Sequence, residues 1–404
     1  MNHHFIFILP NIYDHISGVS NKYTSFLSYL SKHNNNNKIT LCNVSKNNPN
    51  IQNINFHKCS SFTLPFYNTI TVPIISQSHL QKIILKDHIN IIIFNSEFIW
   101  LHNILISLKN KNNSTNVQVK LIPTIHTDID FYLDKYLPSS ISDFIISKDY
   151  QLSSFIDSRL TEGTFDKILI TGNLLENKYT KLIDTFRVLN VNEIDYNTFQ
   201  SFYRSVLYRR DYIHKNGAFL NIIFTGRICV EKNIIHNFKL IDFLIKVYLQ
   251  NDYSKINFHI IGSGPYLHEL KDICNKQFQN VLKRTTFHGS QNSNWIGNFY
   301  KSIYNPIFLF SSQSETFGKT GVEAMVTGIP LFNIESNISK EIFNKESNFN
   351  AFLFKDKMDF IKKIDFYMKM NIEDLKKFDL DMNNFVKKYD QNIIFKKWFD
   401  FLTK

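Results

Sequence analysis

The chain has 404 residues, 43% of them hydrophobic and 20% charged, which suits two globular domains and excludes a disordered chain. Its formal net charge of +11 favours anionic partners, but no RNP, zinc-finger or helix-turn-helix pattern accompanies it, so nucleic acid is not an expected partner. The four scattered cysteines, Cys42, Cys59, Cys229 and Cys274, lack any C-x-x-C spacing, which argues against a metal or redox site and suits a reducing, cytoplasmic compartment.

In chain order, His4–Leu9 reads as a buried strand, followed by a loop ending Ser17-Gly18-Val19 and a helix over Ser20–Leu30. Lys38–Val44, Ile54–His57 and Ile91–Phe94 are further strands, and Glu97–Asn110 is an amphipathic, core-facing helix. No stretch reaches the roughly 18 apolar residues of a membrane span. Val119–Ile125 is a strand that delivers His126 to its C-terminal end, where open α/β sheets bind ligands, so His126 is a candidate contact for a substrate. Asp143–Ser147 reads as the strand that ends the first domain, whereas Ile170–Tyr179 carries no legible pattern.

In the second half, Leu220–Phe224 is a strand followed by Thr225-Gly226-Arg227 and then Glu231-Lys232. Gly226 permits a tight turn, and Arg227 and Lys232 supply two cations near a strand end, which is what a pyrophosphate requires. Phe258–Ile261 ends in Gly262-Ser-Gly264-Pro265; Leu267 stands where a dinucleotide fingerprint needs its third glycine. Tyr266–Cys274 is a helix, Thr286–Gly289 a short strand and Trp295–Ser302 a helix. Ile307–Ser311 is a strand, Ser312–Phe317 a polar turn and Gly318–Thr327 a helix closed by Gly328 and Pro330. Such a unit aims backbone N–H groups and the positive end of a helix dipole into the crevice above a parallel sheet, a place for a phosphate. Glu315 lies in that turn and Glu323 about one turn into the helix. A P-loop is disfavoured because Gln313 stands at the first glycine position and the Glu315 charge would oppose phosphates wrapped around it. A glycoside hydrolase pair is disfavoured because the two carboxylates need not face each other across one bond. Leu331–Ile334 is the last clear strand, and Asp381–Leu402 reads as a terminal helix.

Glu315-Thr-Phe-Gly-Lys-Thr-Gly-Val-Glu323, followed by Ala324-Met325 and Gly328-Ile-Pro330, resembles the E-x7-E signature of the retaining, nucleotide-sugar-dependent glycosyltransferases of the GT-B fold, in particular glycosyltransferase family 4. Gly226–Lys232 is similar to that family's G-R-x-x-x-E-K segment, Gly262–Pro265 to its G-x-G-P turn and Thr286–Gly289 to its F-x-G. Lys340-Glu341-Ile342 matches its E-I. Three positions depart from the pattern: Ser17 replaces the first glycine of Gly-Gly-Val, Glu193 replaces the glycine of the segment running to Asp195 and Phe199, and Ala351 replaces the glycine after Asn350. The match is strongest from Phe219 to Ile342.

The resemblance implies an α/β GT-B protein of two Rossmann-like domains facing across a cleft. Residues 1–190 would form the acceptor side, 191–380 the nucleotide-sugar side, and 381–404 a helix returning to the first domain. It implies transfer of a hexose from a UDP-sugar or GDP-sugar to a hydroxyl of a lipid, glycan or protein, with retention at the anomeric carbon and without a metal or other cofactor. Glu315 and His126 would be the catalytic-site residues. Gly18, Arg227, Lys232, Phe317, Gly318, Lys319, Thr320 and Glu323 would bind the donor, with Glu323 on the ribose and the amides of Gly318–Thr320 on phosphate. A basic chain of this kind is expected in the cytoplasm, with peripheral contact to anionic membrane. The departures at Ser17, Glu193 and Ala351 keep a second reading open, a catalytically inactive nucleotide-sugar-binding protein on the same fold.

Overall fold

The computed structural model describes residues 2–11, 18–33, 36–44, 51–64, 67–96, 98–113, 115–126, 154–211, 220–312, 317–336, 339 and 352–404. Ser17, the strand expected at Asp143–Ser147, Glu315, Lys340–Ile342 and Ala351 lie outside these residues. The chain divides into two units, one of residues 1–192 with 394–404 and the other of residues 193–393.

The first unit is built on β1 (His3–Ile8), α1 (Gly18–His33), β2 (Lys38–Asn43), β3 (Ile54–Lys58), β4 (Ser60–Leu64), β5 (Tyr67–Ile74), α2 (Gln77–Ile83), β6 (Ile89–Asn95), α3 (Ile99–Asn113), β7 (Val119–Ile125), β8 (Ile168–Ile170), α4 (Asn173–Leu182) and β9 (Val188–Asn190). Seven of these strands form a sheet in the order β3-β2-β1-β6-β7-β8-β9 with every neighbour parallel. All six residues of β1 are buried. A parallel strand covered on both faces needs a continuous apolar run, which is why His4–Leu9 is legible without alternation. His4 is tolerated inside because its ring nitrogens meet Asn90 Oδ1 at 3.0 Å and Thr40 Oγ1 at 2.8 Å. The antiparallel pair β4–β5, the strand β8 and the helix α4 were not foreseen; β8 has only three residues, too few to show a period.

The second unit runs α5 (Tyr196–Gln200), β10 (Leu220–Thr225), α6 (Ile234–Val247), β11 (Ile256–Ile261), α7 (Leu267–Gln277), β12 (Thr285–Gly289), α8 (Ser293–Ser302), β13 (Pro306–Phe310), α9 (Lys319–Val326), β14 (Leu331–Ile334), β15 (Phe352–Phe354), α10 (Lys357–Lys369) and α11 (Ile372–Lys387). Its six strands are again all parallel, in the order β12-β11-β10-β13-β14-β15. Strand order reverses at β10, which pairs with both β11 and β13. In an open α/β sheet that reversal leaves a crevice at the carboxyl ends of the strands, where ligands bind. The second sheet thus offers such an edge by topology alone.

The single terminal helix expected over Asp381–Leu402 is two helices, α11 and α12 (Gln391–Thr403). The break at residues 388–390 contains no Gly or Pro. Tertiary pairing makes it: the Ile194 amide donates to the Tyr389 carbonyl at 2.9 Å, and the Gln391 amide donates to the Ile194 carbonyl at 3.0 Å. The latter part of α12 belongs to the first unit, where the buried Trp398 ring stacks on Phe26 at 3.7 Å between centroids.

Candidate functional site

Three loops meet at the carboxyl edge of the second sheet. After β10 comes Gly226, whose amide donates to the Ile261 carbonyl at 3.0 Å; two residues on, the Ile228 amide donates to the Ser263 carbonyl at 3.0 Å. The Gly262 amide in turn donates to the Gly289 carbonyl at 2.7 Å. A Cβ on Gly262 would run into the Gly226 carbonyl, and one on Gly264 into the Ile228 carbonyl. Gly262 and Gly264 are therefore needed because their backbones press against the loop after β10.

This packing carries Arg227 to an exposed position and leads into a short 3-10 turn, Val230–Lys232. Asn233 closes the turn in the left-handed region, with φ 49°. Lys232 lies 5.8 Å over the Phe310 ring centroid at the end of β13. Burial lowers its pKa and the Arg227 charge adds to this, while Cys229 and Glu231 oppose it. The turn is stitched to the end of β13 by Ser311, whose hydroxyl lies 3.0 Å from the Asn233 carbonyl and 2.5 Å from Asn237 Oδ1, and by Ser312, which donates to the Glu231 carbonyl at 3.2 Å. Two cations and the end of β13 are thus fixed to one scaffold.

Beyond residues 313–316 the chain returns at Phe317, whose ring is buried 4.7 Å from that of Tyr389. Any contact Phe317 makes to a ligand is through its backbone. Gly318 adopts φ 72°, the left-handed conformation that turns the chain into α9. The amides of Lys319 and Thr320 then lie in the first turn of α9, where N–H groups lack intrahelical partners. Glu323 follows one turn later. It is half-buried, and its pKa is raised to about 7 by burial, against the pull of Lys319 and with the push of Glu193 and Asp195.

The sequence marks Glu193 as a departure from the family's glycine and gives it no partner. In the fold its side chain is 1% exposed, and both carboxylate oxygens lie 3.2 Å from Lys319 Nζ. Burial works against the Lys319 charge, but Glu193, Glu323 and Asp195 outweigh it and its pKa is raised. Glu193 and Lys319 stand 126 residues apart, so nothing local in the sequence announces the pair.

In the first unit, Gly18 opens α1 next to the carboxyl edge of its sheet. His126 follows β7 and is 6% exposed. Its Nε2 lies 2.8 Å from the Tyr23 hydroxyl and its Nδ1 3.0 Å from Thr171 Oγ1; Lys22 donates to the same Thr171 oxygen at 2.8 Å. Burial, reinforced by Lys22, lowers the His126 pKa far below its usual value, so the ring is neutral. Both nitrogens are engaged within the fold, an arrangement that fixes the ring in place. The sequence called for the histidine but not for this network. Among the described residues no group of His, Cys, Asp and Glu is arranged to hold a metal ion, and no helix is long and apolar enough to cross a membrane.

The family model of the glycosyl transferases group 1 matches residues 213–385, which include Arg227, Lys232, Lys319 and Glu323. The GtfA subunit of a UDP-N-acetylglucosamine–peptide N-acetylglucosaminyltransferase from Streptococcus agalactiae is 28% identical over 204 residues, 50% of this chain and 36% of that protein. The sulfoquinovosyl transferase SQD2 of Arabidopsis thaliana is 22% identical over 327 residues, 81% of this chain and 58% of that one. The chain spans about half the length of the curated relatives it matches. Of solved structures, Alr3699/HepE of Anabaena in complex with UDP and glucose superposes with a TM-score of 0.62 at 13% identity, covering 99% of both chains. The chain therefore has the GT-B fold of two Rossmann-like units, and residues 213–385 of its second unit match the family model of the glycosyl transferases group 1.

Proposed function

We propose that the chain is a retaining, metal-independent glycosyltransferase that moves a hexose from a UDP-sugar or GDP-sugar to a hydroxyl acceptor. The observation that carries this reading is the convergence at one sheet edge of Arg227, Lys232, the first turn of α9 and Glu323. The relatives' names and the UDP-bound neighbour lend it support.

A nucleoside diphosphate leaves with charge on its terminal phosphate. Arg227 and Lys232, with the amides of Gly318–Thr320, would stabilise that charge as it develops and take the part a divalent cation plays elsewhere. Glu323 would accept from the ribose hydroxyls. Glu315 would lie beside the sugar and hold its hydroxyls as positive charge grows at the anomeric carbon. We place the protein in the cytoplasm, with its +11 charge drawing it to anionic membrane surfaces.

The test is donor turnover. Purified protein is incubated with UDP- and GDP-hexoses, with and without EDTA, and the anomer of the released or transferred sugar is read by NMR. Turnover unaffected by EDTA, with the donor's anomeric configuration kept, supports the reading. Activity abolished by EDTA and restored by a divalent cation would remove the metal-independent part, and an inverted product would remove retention.

A further inference from the structure

The Glu193–Lys319 pair has a consequence for Glu323. Lys319 and Glu323 stand four apart on α9, neighbours on one helix face. Lys319 thus feels two carboxylates, Glu193 and Glu323. It is bound to Glu193, with both oxygens at 3.2 Å. The segment that presents Glu193 is held in place. Ile194 is locked to Tyr389 and Gln391 through its backbone. Asp195 caps α5 by accepting from the Thr198 amide at 3.3 Å and also accepts from Gln391 Nε2 at 3.0 Å. Glu193 itself is almost wholly removed from water, and Lys319 is the cation paired with it.

We propose that Glu193 is a positioning residue for the nucleotide: by holding the Lys319 ammonium it keeps the oxygens of Glu323 open to the ribose hydroxyls of a nucleoside diphosphate. This rests on the donor site proposed above. Without the Glu193 charge, the anion one helix turn away from Lys319 is Glu323, and an ammonium bound there would occupy the oxygens the ribose needs. The role of Glu193 is therefore exercised through a competitor that it restrains. A residue that merely supports the turn, or one that touches the ligand itself, would not act in this way.

That difference is testable by second-site rescue, with UDP as the probe in isothermal titration calorimetry and thermal melting as the control for folding. Glu193→Gln should weaken UDP binding by at least about tenfold, the loss expected when a charged hydrogen bond is forfeited. Adding Lys319→Met to that variant, with every titration run well above pH 7 so that Glu323 is ionised, removes the competitor and should bring affinity back to within about threefold of the wild type. Should Glu193→Gln fold too poorly to assay, Glu193→Met, which suits a buried position, takes its place in both arms. A folded single variant with undiminished affinity overturns the proposal. So does a double variant that stays as weak as the single one, which would mean that Lys319 contacts the nucleotide or that Glu193 only supports the fold. Wild-type protein that binds neither UDP nor GDP would overturn the donor site itself, and this inference with it.

Discussion

Gly226 and Gly262 touch backbone to backbone: the carbonyl of Gly226 occupies the space where a Cβ on Gly262 would stand. Gly262 also adopts φ 141°, a conformation that L side chains rarely take. The contact ties the loop carrying Arg227 to the loop after β11. Gly262→Ala should therefore push the two loops apart and destabilise the fold by about 1–3 kcal/mol, the range typical of backbone strain. Nucleotide affinity should fall with it. Thermal melting checks this; an unchanged melting temperature would show that the loops separate without cost.

The two cations differ in setting, and their variants should differ accordingly. Arg227 is exposed, so Arg227→Ala should weaken binding of UDP or GDP by about 1.5–3 kcal/mol with little change in melting temperature. Lys232 lies over Phe310, so Lys232→Ala should weaken binding by a similar amount and lower stability as well. Undiminished affinity in both would refute the phosphate assignment.

Glu323 has a folded pKa of about 7 against an ordinary value of 4.5. Its folded form therefore holds a proton that the unfolded chain has released, and ionising it costs stability. The contribution is present below pH 4.5 and is lost as the pH rises toward 7. Glu323→Gln should flatten that part of the stability profile. The groups facing Glu323 are Lys319 on its own helix, Glu193 and Asp195 before α5, and Tyr300 on α8. A ribose needs the carboxylate form as acceptor, so nucleotide affinity should rise as the pH passes 7 in the wild type and stay level in Glu323→Gln. Parallel profiles for the two proteins would place the nucleotide elsewhere.

His126 is wedged between Tyr23 and Thr171, with both ring nitrogens in use. His126→Ala would leave two hydroxyls without that partner and open a cavity, and should cost about 2–4 kcal/mol of stability. Its ring should remain neutral by NMR at pH 6.5 and above, since burial and Lys22 both oppose the charge. A variant that melts like the wild type but fails to turn over would give His126 a direct part in the reaction.

How much of this was legible follows from what each residue depends on. Val119–Ile125 and Leu331–Ile334 were read with their observed limits because a buried parallel strand is a run of apolar residues bounded by polar ones. Gly226, Arg227 and Lys232 could be placed because a strand, a glycine turn and a helix follow one another within a few residues. The break between α11 and α12 could not, since its cause is Ile194, far away in sequence. Glu193 was harder still. A glutamate at a position expected to hold glycine looks like a defect until the fold brings Lys319 to it. The tertiary partner, here a single lysine, changes the meaning of the residue.

The central claim, that the carboxyl edge of the second sheet binds a nucleoside diphosphate, is tested most directly by thermal-shift titration of the purified protein with UDP, GDP and ADP. A ligand bound only by the folded chain stabilises it by mass action, by about 2.7 kcal/mol at a hundredfold excess over its Kd. The account predicts a concentration-dependent rise in melting temperature with UDP or GDP, much reduced in Arg227→Ala. A well-folded wild-type protein that shows no rise with any of the three at millimolar concentration would contradict it.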